Sequence, residues 1–210
     1  QIHKKEKHVA IYTVWAKEDG GCIDDLLVYC EDETHFFVVV NAINREKSLN
    51  HLKQYAKGFQ VHIQDRYLDF GILALLALIS PLFLEAKHLK KMHFTPVHYH
   101  GQKLILSRTG YTGELGFEIY GPNHLIEELF DWFMNEGGPF GLKPVGLAAR
   151  DTLRLEMGYC LYGHEISESI LVHESLANWT IHLEKKFVGK EKIISSLHPR
   201  HEYGVILEKD

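Results

Sequence analysis

Three glycines spaced three residues apart constrain this chain more than any other feature of its sequence. Gly110, Gly113 and Gly116 lie in the stretch 107–119, which reads SRTGYTGELGFEI. The spacing suits neither a helix face nor strand alternation, but it suits a backbone that bends sharply and lets another group approach closely. Taken alone, however, the stretch is explained more simply by a β-hairpin with permissive glycines. Either way, the segment predicts a turn leading into a strand that carries the carboxylate of Glu118.

The composition is that of an ordinary globular chain. Of the 210 residues, 45% are hydrophobic and 24% charged, and the formal net charge is −5. This balance gives no indication of a nucleic-acid-binding surface. The three cysteines form no CxxC pair, which favours a reducing compartment over a disulfide framework.

One stretch, 70–84, is strongly apolar. It contains Pro81 and is shorter than the roughly 18–20 residues that a membrane-spanning helix needs. The first residues are polar and basic, without the apolar segment of a secretory signal. We therefore expect no membrane partner and a cytoplasmic protein, or one of the mitochondrial matrix if the source is eukaryotic.

Apolar periodicity predicts an α+β fold. Strands are expected at 8–16, 23–30 and 36–42, then a helix that Asn44 caps and Gly58 ends. A return strand over 59–64 completes this first part. Farther along, the pattern predicts a strand, or a strand running into a helix, over 66–80 with a helix to Lys91, a hairpin of 95–99 and 102–107, a strand at 117–120, a helix over 123–135, and a helix that Pro144 opens.

An acidic pair follows the turn Gly20-Gly21. Asp24 and Asp25 are neighbours on a predicted strand, so their side chains are expected to face opposite ways and only one of them to face a given pocket. Ordinary turn chemistry also explains two acids beside glycines. A carboxylate at the rim of a sheet, however, can have its pKa raised by desolvation, and that is useful for proton transfer.

Two other charged groups have both a plain and a functional interpretation. Glu118 lies between Phe117 and Ile119, so it faces away from them and is either solvated or directed into a site. Arg150 and Arg154 share one helical face, where surface ion pairing with nearby acids is the simplest explanation.

Fifteen histidines raise the question of a metal site. His98 and His100 share a strand face, and the pair His164-Glu165 matches the start of HExxH. The residue four positions after His164 is Glu168, however, so the second histidine of that motif is missing. We therefore expect no metal.

Three segments occur in a fixed order along the chain: GGCIDDLLVY at 20–29, TGYTGELGFE at 109–118, and ARDTLRLE with the following LYGHE at 149–165. Together they resemble the aminomethyltransferase (T-protein) of the glycine cleavage system. Shorter matches are VVNA at 39–42 and FVGKE at 187–191. Each segment alone is weak, but together they are specific, and the similarity runs from about residue 12 to residue 190.

The resemblance implies a reaction and its participants. Members of that family take an aminomethyl group from the lipoyl arm of H-protein, release its nitrogen as ammonia and pass the methylene group to tetrahydrofolate. The essential aspartate of the family matches Asp24, and its pterin-binding glutamate matches Glu118. No metal is implied. The other positions that carry over to the folate site are Tyr111, Arg150, Asn41 and Tyr159.

The same resemblance implies a T-protein-like fold of three modules around a folate cavity. A ferredoxin-like module is expected over 1–65, with 165–200 returning to it, and a second α+β module over 66–164. Residues 201–210 would begin a C-terminal β-domain that the sequence lacks, together with an arginine expected to hold the glutamate tail of folate. Family members also begin earlier, so a chain truncated at both ends and self-associating through uncovered apolar surface is expected. A further departure is LISP at 78–81, where relatives carry a QGP-type turn.

Two alternatives to a transferase remain. One is a folate-binding remnant without transfer chemistry. The other is the folate domain of a dimethylglycine- or sarcosine-oxidising enzyme, which should lie beside a flavin domain in a longer chain. Iron–sulfur-assembly relatives carry a KGCYxGQE-type motif, which does not occur in this sequence.

Overall fold

The first sheet contains three strands in the order β1-β2-β3. A computed structural model describes residues 7–76 and 82–196 of the chain. In it, β1 is Val9–Ala16, β2 is Cys22–Cys30 and β3 is Phe36–Val39, followed by helix α1 at Arg45–Tyr55. The central strand β2 is buried at most of its positions. The three predicted strands are confirmed.

The second sheet is antiparallel, with strand order β4-β7-β6-β5. Its strands are β4 at Phe70–Leu75, β5 at Phe94–Tyr99, β6 at Gln102–Ser107 and β7 at Phe117–Pro122. Helix α2 (Asn123–Gly137) has an apolar stripe that belongs to the same hydrophobic core as the strands. The buried helical members of that core are Leu125, Ile126, Leu129 and Phe133.

Two further helices follow, α3 at Leu147–Glu156 and α4 at Lys190–Ser195. A separate core contains residues from both ends of the described chain, among them Cys22, Cys160 and Ile193. No helix in the described ranges is long and apolar enough to cross a bilayer.

The chain divides into two compact units. The first includes Tyr29–Phe37 and Gln64–Met157, and the second includes Tyr12–Val28, Val38–Ile63 and the residues from Gly158 onward. Each unit is therefore assembled from segments that are distant in sequence.

Some local predictions are wrong. No strand forms over 59–64, where the alternating side chains of Phe59 and Val61 are exposed rather than paired in a sheet. The predicted helix before Lys91 is only a short 3₁₀ turn at Leu84–Lys87 in its described part, and the LISP segment lies outside the described residues.

Two helix starts also differ from expectation. Pro144 lies in irregular chain, and α3 begins at Leu147. Asn44 occupies the N-cap position of α1 but makes no side-chain capping bond. Its amide nitrogen donates instead to Asp24 Oδ1, at 2.7 Å, so the side chain is oriented by the buried carboxylate rather than by the helix end.

Candidate functional site

Asp24, the first acid of the pair on β2, is fully buried. Its Oδ1 accepts hydrogen bonds from the side-chain amides of Asn41 and Asn44, at 2.8 and 2.7 Å. Its Oδ2 accepts from Ser48 Oγ at 2.9 Å and from the backbone N–H of Asn41 at 3.2 Å. Both oxygens thus accept hydrogen bonds from donors within the protein, and these bonds fix the carboxylate in place.

Asp25, the second acid, is only partly buried. Its Oδ2 accepts a hydrogen bond from the Tyr12 hydroxyl at 3.0 Å. Burial raises the pKa of the Asp25 carboxyl, and the charge of Asp24 adds to the rise, while hydrogen bonds from Tyr12 and Asn41 oppose it. Burial also raises the pKa of the Tyr12 hydroxyl, as does the charge of Asp25. Tyr12 therefore remains a hydrogen-bond donor across the physiological range.

The two carboxylates are not independent, although they are neighbours on a strand. The Asn41 amide nitrogen lies 2.8 Å from an Asp24 oxygen and 2.9 Å from an Asp25 oxygen. This amide holds both carboxylates, with Asp24 inside the unit and Asp25 nearer to solvent. Sequence reasoning identified Asn41 through the resemblance, but it missed the supporting donors Tyr12, Asn44 and Ser48. The sequence did contain a signal for two of them, because Asn44 and Ser48 are four residues apart and therefore share one face at the start of α1.

Glu118 is buried on β7, with 9% of its surface exposed. Its Oε2 accepts hydrogen bonds from the Tyr120 hydroxyl, at 2.9 Å, and from the Thr109 hydroxyl. The Tyr29 hydroxyl lies 2.8 Å from that of Tyr120 and 3.1 Å from Thr109 Oγ1, and Ser107 Oγ lies 2.9 Å from Thr109 Oγ1. We call these five residues the Glu118 network. The solvated alternative for Glu118 is therefore wrong.

Burial raises the pKa of both tyrosines in the Glu118 network. Desolvation raises the pKa of Tyr29 to about 12, and the charge of Glu118 adds to the rise. The same two causes raise the pKa of Tyr120 well above its usual value. Both hydroxyls consequently keep their protons at neutral pH and serve as donors within the network.

The glycine-rich turn and α3 are joined by another pair of predicted residues. The guanidinium carbon of Arg150 lies 4.4 Å from the centre of the Tyr111 ring, within the range of a cation–π interaction. Arg150 is exposed, whereas Arg154 is buried and its Nε donates to Asp151 at 2.8 Å. The ion pair on this helix is made by Arg154, whereas the contact of Arg150 is with the Tyr111 ring.

The turn also approaches the end of α3 closely. Gly113 has φ +75°, and a Cβ added there would lie 2.6 Å from Met157 Cε and closer still to its sulfur. Glycine is therefore required at position 113 for two reasons, as predicted: the backbone has a positive φ, and Met157 leaves no room for a side chain. At Gly116, an added Cβ would lie 2.9 Å from the carbonyl oxygen of Leu75.

Tyr159, the remaining predicted residue, is half-buried just after α3. Its role stays a prediction. Within 7–76 and 82–196, no group of three or more histidine, cysteine, aspartate or glutamate side chains is arranged to hold a metal ion.

Comparison with known proteins identifies the family. The chain matches the GCVT N-terminal domain over residues 1–185 and therefore belongs to that family. It is 39% identical over 202 residues to the aminomethyltransferase of Chlorobium limicola, covering 91% of this chain and 56% of that relative. It is 41% identical over 194 residues to the aminomethyltransferase of Chloroherpeton thalassium, covering 88% of this chain and 53% of that relative.

A solved structure shows the same fold. The glycine cleavage system aminomethyltransferase T from Bartonella henselae superposes with a TM-score of 0.80 at 30% identity, covering 93% of this chain and 54% of that protein. The predicted α+β, T-protein-like fold is thus confirmed. The chain spans about half the length of the relatives that it matches.

Proposed function

We propose that this chain carries the active-site residues of an aminomethyltransferase of the glycine cleavage system. The reaction would move a methylene group from an aminomethyl-lipoyl arm of H-protein to tetrahydrofolate and release ammonia. The observation that carries the proposal is the burial of Glu118 within the TGYTGE–FE segment. A buried carboxylate that accepts donors only on Oε2 from the described residues has an oxygen available for a ligand.

The proposed ligand of Glu118 is the pterin ring. Pterin presents adjacent N–H donors in one plane, and an ionised carboxylate is an acceptor-only group suited to them. The remaining folate-site assignments, Tyr111, Arg150 and Tyr159, belong to the same proposal. The contact between Arg150 and Tyr111 supports their assignment to a common site.

The proposed site of proton transfer is the acidic pair. The sequence assigned catalysis to Asp24, but this residue is fully buried and its oxygens already accept internal hydrogen bonds. Asp25 is partly exposed, and its raised pKa lets it hold a proton closer to neutral pH. We therefore assign proton transfer during ammonia release to Asp25. Asp24 would hold Asn41, which contacts Asp25.

Several wider predictions belong to this proposal. Its partners would be lipoylated H-protein and tetrahydrofolate. The modules predicted over 1–65 with 165–200, and over 66–164, stay a proposal, as do self-association and the cytoplasmic or matrix compartment. The relatives described above are named aminomethyltransferases, which supports a transferase over the two alternative functions.

Titration calorimetry with tetrahydrofolate tests the proposed function. We expect saturable binding by the wild-type chain and weakening by about 10- to 100-fold in Glu118→Ala, because a hydrogen bond to a charged group contributes about 1.5–3 kcal/mol. Glu128→Ala is the matched control, since Glu128 is a partly exposed glutamate on α2. Absence of binding by the wild type, or equal binding by Glu118→Ala, would refute the proposal.

A further inference from the structure

We propose that Thr109 and Tyr120 are positioning residues that determine which oxygen of Glu118 faces the ligand. This inference rests on the proposed function, because it takes the ligand to be a pterin that presents N–H donors. It goes beyond that function by assigning a task to two hydroxyls that do not themselves contact the ligand.

The number of available hydrogens fixes the direction of each bond. A threonine or tyrosine hydroxyl has a single hydrogen to donate. Thr109 Oγ1 lies within hydrogen-bonding distance of both Glu118 Oε2 and Ser107 Oγ. The bond to the charged acceptor is the stronger one, so the hydrogen of Thr109 goes to Glu118 rather than to Ser107. Tyr120 likewise gives its hydrogen to Oε2 at 2.9 Å.

Both bonds therefore converge on one oxygen of the carboxylate. Oε2 accepts from Thr109 and Tyr120, and Tyr29 lies behind them, 2.8 Å from the Tyr120 hydroxyl. Because burial keeps Tyr120 protonated, this orientation persists at neutral pH. Oε1 is then the oxygen that is presented to a donor outside the network.

This asymmetry makes a specific prediction for Glu118→Gln. The amide oxygen of glutamine must take the place of Oε2, because Thr109 and Tyr120 require an acceptor there. The amide nitrogen must then take the place of Oε1, where it confronts the N–H of the pterin with a second donor. Glutamine at this position should therefore weaken binding at least as much as alanine does, although it is closer in shape to glutamate.

A double-mutant cycle tests the proposal. Thr109→Val combined with Tyr120→Phe removes both hydroxyls with little change in shape, which frees the glutamine amide to turn its oxygen toward the ligand. In titrations with tetrahydrofolate we expect Glu118→Gln to weaken binding by about 10- to 100-fold in the wild-type background. In the hydroxyl-free background the same change should cost at least about 3-fold less, within the range of measured couplings between contacting residues.

Tyr99→Phe is the matched control, because the Tyr99 hydroxyl donates to Glu128, on the surface of α2, at 3.2 Å. It should leave the effect of Glu118→Gln unchanged. If the hydroxyl-free variant fails to fold, as judged by circular dichroism, Thr109→Val alone replaces it. Equal effects of Glu118→Gln with and without the hydroxyls would overturn the positioning role while leaving the proposed function intact. Absence of tetrahydrofolate binding by the wild type would overturn both.

Discussion

At the residue scale, neighbouring side chains of the same type have different environments. Asp24 is fully buried under four donated hydrogen bonds, whereas Asp25 is partly exposed and has a raised pKa. Strand alternation predicted that they would differ, but it did not predict which one would be buried. That depends on α1, which brings Ser48 to Asp24.

Removing the buried acid should destabilise the fold. In Asp24→Ala, the donors on Asn41, Asn44 and Ser48 lose their acceptor, and each buried unsatisfied donor costs about 1–3 kcal/mol. We expect the free energy of unfolding to fall by roughly 3–5 kcal/mol, measured by urea denaturation. Asp131→Ala, at an exposed position on α2, should change it by less than about 0.5 kcal/mol. A loss below about 1 kcal/mol for Asp24→Ala would contradict the hydrogen-bond cluster.

The raised pKa of Asp25 should make stability depend on pH. An acid whose pKa is higher in the folded state binds its proton more tightly there, so its contribution to stability falls as pH rises from about 3.9 through the raised value. Asp25→Asn removes this dependence.

Urea denaturation between about pH 4 and pH 8 covers the window above the ordinary aspartate pKa. The free energy of unfolding of the wild type, minus that of Asp25→Asn, should decrease across the window and then level off. The difference between the wild type and Asp131→Asn, the control variant, should not change with pH. A flat difference for Asp25→Asn would show that its pKa is not raised.

At the element scale, the glycine-rich turn shows what spacing can predict. The sequence predicted a bend with close approach, and Gly113 meets both conditions, through φ +75° and its proximity to Met157. Gly116 meets only the second, beside the carbonyl oxygen of Leu75. Spacing alone did not identify the elements that approach the turn, because those contacts come from β4 and α3, which are distant in sequence.

A matched pair of glycines separates backbone strain from close approach. Gly101 has φ +76°, almost the same as Gly113, but a Cβ there would meet nothing within 4 Å. Gly101→Ala should therefore lower the free energy of unfolding only by the cost of placing alanine in the left-handed conformation, about 1–2 kcal/mol. Gly113→Ala should cost about 2 kcal/mol more, because the added methyl overlaps Met157. Thermal or urea unfolding measures both. Equal costs, or an excess that persists in a Met157→Ala background, would contradict this packing.

Strand alternation predicted the direction of Glu118 but not its burial. Glu118 faces away from Phe117 and Ile119, yet all three are buried. β7 lies between β4 and β6, and Tyr29 belongs to the network that surrounds the carboxylate. Periodicity describes one strand at a time, so it cannot show that the second face is covered. The strand that did not form over 59–64 illustrates the same limit, since its alternating pattern has no partner strand.

At the scale of the whole molecule, family membership was predictable because three short segments occur in a fixed order. The fold and the match over residues 1–185 confirm it. The chain covers about half of its relatives' length, and one experiment measures directly whether this half carries out the proposed transfer.

That experiment is a single-turnover assay of ammonia release. H-protein loaded with an aminomethyl-lipoyl group is mixed with tetrahydrofolate and an excess of this chain, and ammonia and methylenetetrahydrofolate are measured together. We expect both products in equal amounts from the wild type and from Asp131→Ala, and a rate about 10²- to 10⁴-fold lower from Asp25→Ala, the usual effect of removing a positioned acid or base. No ammonia from the wild type, or an undiminished rate from Asp25→Ala, would contradict the account.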